Sequence, residues 1–205
     1  RAAQGTLAVG RFPAKGALLL TVVRELLALG LRGSGPAPDM GRLLRLLARW
    51  ARLLFESRLQ TFSRDEALSL LAQAIASLGQ QGSPVLLHPT QFLRYLQRGG
   101  LLLSQPGGEM MSFAHVALRD VLASLDIDMQ TQPGNMPAID LDEKDTQARW
   151  EVLAPLWYGI TERRTEVAAR MVAAGDEGLE LLVSSLAQAE APTDWFNLLG
   201  KYLGS

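Results

Sequence analysis

Few residues of this 205-residue chain could carry chemistry: it has no cysteine and two histidines, His88 in "LLHPTQ" and His115 in "MMSFAHVALRDVLAS". Disulfides, thiolate metal sites and cysteine nucleophiles are excluded, and two imidazoles so far apart have no metal-ligand spacing. His115 stands between a strand-like run and a helical one. An imidazole there can cap free backbone N–H groups, or it can donate to a phosphate drawn to the positive end of the helix. His88 precedes a proline in a turn and reads as structural. Arg42, Arg45, Arg49 and Arg52 recur at steps of three, four and three, a basic stripe that is either a solvated helix face or a phosphate-binding one. No G-x-x-x-x-G-K-[ST] phosphate loop occurs: the single Gly-Lys pair, Gly200-Lys201, is followed by Tyr202. No strand ends in an acidic pair that would hold magnesium. These residues predict no catalytic group and no metal site, so the chain alone is not expected to be an enzyme.

Charge narrows the partners. Twenty Lys+Arg against 21 Asp+Glu leave a net charge of −1, with no overall pull toward nucleic acid or an anionic membrane. The solvated-face reading of the arginine stripe follows from that balance. The most apolar stretch, residues 16–31, carries Arg24 and Glu25 in its middle and is shorter than the roughly 20 residues of a membrane span, so it reads as a buried helix.

Positioning His115 requires the elements around it. Hydrophobic periodicity predicts helices over 17–29, 41–59, 63–79 and 90–98, the third opening on Ser63 and Glu66 in capping-box spacing. Residues 101–104 and 109–113 flank "QPGG" and read as a hairpin, after which a helix starts near His115. The segment 126–146, with acidic residues and two prolines, reads as a linker. Helices are then expected over 146–158, kinked or broken at Pro155, and over 162–174, 177–189 and 194–203, with Trp150, Trp157, Trp195 and Phe196 as core residues. The fold class is mainly α: a winged-helix subdomain with a small β-hairpin, flanked by helical subdomains. Its parts are a first helical subdomain ending in 1–39, the winged helix in 40–125, a linker in 126–146 and a second helical subdomain in 147–205.

The segments "LLRLLARWARLLFESRLQTFSRDEALSLL", "FLRYLQRGGLLL" and above all "FAHVALRDVLAS" resemble the C-terminal part of the NACHT class of STAND nucleotide-binding ATPases. Phe113, His115 and Asp120 match the family's winged-helix signature of an aromatic residue, a histidine two positions on and an acidic residue five further. The family usually carries Glu where this chain has Asp120, and often Gln at Arg119. Its usual Asn-Pro pair before the first leucine run is replaced by Gly16-Ala17. The resemblance implies that His115 touches the β-phosphate of ADP and holds a closed state, and that 126–146 is a hinge. It further implies that ADP or ATP is shared with a nucleotide-binding domain on sequence before Arg1 and is not held by this chain alone. It implies a cytoplasmic protein that forms homo-oligomers on activation, with no nucleic-acid or membrane partner. The chain opens at Arg1 without an initiator Met or signal peptide and so reads as a segment of a longer protein. Two other readings fit the same elements: a winged-helix DNA-binding regulator, and a helical scaffold for protein partners.

Overall fold

The computed structural model describes residues 14–33, 39–80, 87–132, 136–187 and 200. Helix α1 spans Lys15–Leu31 and α2 spans Met40–Glu56. The Asp39 carboxylate starts α2 by accepting the Gly41 and Arg42 N–H groups, which have no partner within the helix. Leu43, Leu46, Leu47, Trp50 and Leu54 are buried along one face, as the periodicity predicts. The helix ends in a reversal. Arg58 takes a left-handed φ of 57°, and the Arg58 and Leu59 N–H groups return to the carbonyls of Phe55 and Leu54.

That reversal delivers a strand the sequence pattern concealed. Residues 61–63, expected only as the lead-in to the third helix with Ser63 as its cap, form β1, Thr61–Ser63, with Phe62 fully buried edge-on against Trp50 at 5.6 Å. Helix α3, Arg64–Gln80, then begins at the expected capping box: the Ser63 N–H donates to Glu66 Oε2 at 2.7 Å, and the Glu66 N–H to Ser63 Oγ at 3.2 Å. Helix α4, Pro89–Arg98, stops at two glycines that serve different needs. Gly100 supplies a left-handed φ of 79° for the turn. Gly99 lets α1 approach so closely that a Cβ there would stand 2.2 Å from the Leu26 carbonyl oxygen. Strands β2, Leu102–Ser104, and β3, Met110–Phe113, form the expected hairpin, and β1 pairs with the other edge of β3 to give the antiparallel order β1-β3-β2. Helix, strand, helix, helix, strand, strand is the winged-helix order.

Four more helices follow: α5, Val116–Gln130; α6, Lys144–Ile160; α7, Arg164–Ala173; and α8, Asp176–Leu186. One expectation needs correction. The segment 126–146 is not a free linker: 126–130 belong to α5 and 144–146 to α6, and between them Met136, Ile139 and Leu141 are buried. Of the two expectations for Pro155, a kink or a break, the break does not occur, since α6 runs through it. The helix expected at 194–203, with Trp195 and Phe196, lies outside the described residues except for Gly200.

Two hydrophobic cores result. The winged-helix core contains Trp50, Phe62, Phe92 and Phe113 together with Leu20, Val23 and Leu27 of α1. The second joins Trp150, Trp157, Val167, Met171 and Leu182 to Phe55 of α2 and to Ala123 and Ile127 of α5. Helix α5 therefore faces both. Among the described residues, no helix is long and apolar enough to cross a membrane.

Candidate functional site

His115 is held from behind. Phe113 packs on Trp50 with ring centroids 5.8 Å apart and pairs with Leu102 in the sheet, and the Ala114 N–H donates to the Leu101 carbonyl at 2.9 Å. These contacts fix the last residues of β3, so His115 enters with an extended backbone as the N-cap of α5. Its Nδ1 accepts the Ala117 N–H at 3.1 Å. A neutral ring whose Nδ1 accepts must carry its proton on Nε2. The side chain is exposed, and among the described residues no hydrogen bond falls on Nε2. One nitrogen belongs to the helix, and the other is an outward donor.

The second histidine caps in the same way: His88 Nδ1 accepts the Thr90 N–H at 3.3 Å at the start of α4. Capping alone therefore does not distinguish His115. Its surroundings do. Arg119 lies one turn further along α5. Its Nε and Nη2 donate to Asp120 Oδ1 at 2.9 and 2.7 Å, its Nη1 donates to the Leu59 carbonyl at 3.0 Å, and its guanidinium lies 5.2 Å over the Phe55 ring. Burial pushes the Asp120 carboxyl above the usual carboxylate value, against the opposing pull of Arg119 and, more weakly, of His115. The buried pair thus ties the first turns of α5 to the end of α2, and Phe113, His115 and Asp120 have separate places: core, surface and helix–helix seam.

The arginine stripe is not one solvated face. Arg42 pairs with Asp39 at the surface at 3.4 Å, and Arg52 pairs with Glu56 at 2.5 Å. Arg49 crosses to α5 and reaches Asp126 at 3.3 Å, with side chains only 15% and 6% exposed. Sequence reasoning missed Asp126 by placing it in a linker. The available signal was its position four residues before Gln130 and four after Leu122, which continues the helical period.

The end of α5 is fastened elsewhere too. Trp157 Nε1 donates to Asp128 Oδ1 at 3.1 Å, the Ser124 hydroxyl shares its one proton between the Asp120 carbonyl of α5 at 3.0 Å and the Leu153 carbonyl at 3.1 Å, and Arg163 Nη2 donates to the carbonyls of Asp128 and Thr131 at 3.2 and 2.9 Å. A guanidinium on the last carbonyls also suits the negative end of a helix. Residues 126–131 of the expected hinge are therefore bonded to α2, α6 and the start of α7. Among the described residues, no three His, Cys, Asp or Glu side chains gather as a metal site. No family model matches the chain, and no curated protein or solved structure does either.

Proposed function

We propose that this chain is the regulatory part of a STAND-class, NACHT-type switch ATPase, in which the winged helix stabilises an ADP-bound closed state. The observation that carries the reading is the outward Nε2 of His115 at the N-terminus of α5, with Phe113 and Asp120 anchoring it on either side. A phosphate placed there meets an imidazole donor and the positive end of a 15-residue helix. The nucleotide would be held jointly with a nucleotide-binding domain on the same polypeptide, and ADP would favour the closed arrangement only through contacts it makes in that state. Exchange for ATP removes this bridge and frees surfaces for homo-oligomerisation in the cytoplasm. This chain alone holds no nucleotide and turns none over.

The DNA-binding alternative has less support. By order α4 would be the recognition helix, but α1 crosses its C-terminal end at Gly30 and Gly99, where either Cβ would stand within about 2.2 Å of a carbonyl oxygen of the other helix. Arg49 of the stripe is engaged with Asp126. The switch reading is tested by ADP dissociation from the chain joined to its nucleotide-binding domain: His115→Ala should accelerate release and raise basal activity. Unchanged release, or steep salt-dependent duplex binding by the unmodified chain, would turn the assignment toward the other readings.

A further inference from the structure

Helix α2, the last turn of α5 and the start of α6 enclose a cavity of about 340 Å³. Arg49, Arg52 and Glu56 line it from α2, Asp126 and Gln130 from α5, and Trp150 from α6. Its volume lies in the range of small-molecule sites, about 300–1,000 Å³. Its bonding is incomplete. Asp126 takes both its contacts, from Gln130 at 2.5 Å and Arg49 at 3.3 Å, on Oδ2, and among the described residues no hydrogen bond falls on Oδ1. Arg49 makes that ion pair and no hydrogen bond to a described residue, and its Nε is buried with no partner. The Nε atoms of Arg149 and Arg164 are buried without partners too, so what sets Arg49 apart is its place in the cavity wall beside Asp126.

We propose that this cavity binds a small zwitterion of the free amino-acid type. Two guanidinium groups and two carboxylates line it, so the wall is electrically balanced. A simple anion would meet Arg49 and Arg52 but also Asp126 and Glu56, and a simple cation the reverse. A molecule carrying a carboxylate and an ammonium a few bonds apart satisfies both. Its carboxylate takes the remaining Nη donors of Arg49 and the rim guanidinium of Arg52, its ammonium faces Asp126 Oδ1, and Trp150 supplies an apolar wall for a side chain. The site is separate from His115 and does not rest on the switch reading.

The test is calorimetric titration of the chain at neutral pH with each of the twenty common L-amino acids, and with acetate and methylammonium as single-charge probes. At least one amino acid should bind with a Kd below about 1 mM, and both single-charge probes should bind at least about tenfold more weakly. Arg52→Gln, at a side chain 25% exposed, should weaken binding about tenfold or more while the thermal transition stays cooperative. Arg49→Gln should abolish binding if it folds, and Arg52→Gln decides the matter if it does not. The proposal is overturned if no amino acid binds with a Kd below about 1 mM, if acetate or methylammonium binds as tightly, or if Arg52→Gln leaves the affinity unchanged.

Discussion

At its first turn α5 offers His115 to solvent, one ring nitrogen accepting the Ala117 N–H and the other pointing outward, with its supports lying behind it in β3 and α2. At its last turns the same helix is held by three neighbours: Arg49 of α2 reaches Asp126, Trp157 of α6 reaches Asp128, and Arg163 before α7 takes the final carbonyls. A group that must meet an outside ligand needs only to be anchored from one direction. A group that must hold two cores together is surrounded. The bonded end ties α5 to α2, to α6 and to the start of α7.

The contrast can be broken at the bonded end with the largest effect. Trp157 is fully buried, and Trp157→Ala should cost about 3–5 kcal/mol in urea denaturation. A cost below about 1 kcal/mol would mean that the second core does not depend on this joint. Arg163→Ala removes a charged donor from two carbonyls at a side chain 25% exposed, so about 1.5 kcal/mol is expected, the lower end for charged hydrogen bonds. Amide exchange should then accelerate at the last turn of α5 and stay unchanged at its first.

At the exposed end the effects are smaller. His115→Ala and His88→Ala should each cost about 1 kcal/mol, the usual loss of an N-cap, and His115→Asn should cost almost nothing because Asn caps as well. Equal exchange rates in the first turn of α5 for His115→Ala and the unmodified chain would show that the cap does not hold that turn.

The smallest expected effect is one of slope. Burial, opposed first by Arg49, holds the Asp126 carboxyl above the usual carboxylate range. The folded chain then keeps this proton where the unfolded chain has lost it. Its contribution to stability is full below the unfolded pKa of about 3.9 and is lost as pH rises through the higher folded value. Asp126→Asn should flatten that fall, measured by urea denaturation between pH 4 and pH 7 at intervals of about half a unit. An identical slope in the variant would place the proton elsewhere.

What could be read from the sequence follows the same division. The start of α3 was legible to the residue, since Ser63 and Glu66 complete a local capping pattern, and the junction at His115 was legible because strand and helix periodicities meet there. Strand β1 was not, because three residues with one apolar side chain show no period, and its cause is a tertiary contact with Trp50. Residues 126–130 looked like a linker because Asp126 and Asp128 are charged. Their partners, Arg49 and Trp157, lie far away along the chain, and only the fold brings them together. For His115 a capping role was legible, but His88, read as a turn residue before a proline, was not seen as a matching cap, although a proline at the first helical position marks a helix start.

The most direct measurement of the proposed switch is the dissociation rate of ADP from a polypeptide joining this chain to the nucleotide-binding domain proposed for it, compared among the unmodified protein, His115→Asn and His88→Asn. Both variants keep a capping side chain, and only the first loses the outward imidazole donor. A lost hydrogen bond to a charged phosphate is worth about 1.5–3 kcal/mol, so ADP should leave about 10- to 150-fold faster from His115→Asn and at an unchanged rate from His88→Asn. Equal rates in all three proteins would contradict the account and leave His115 as a cap and nothing more.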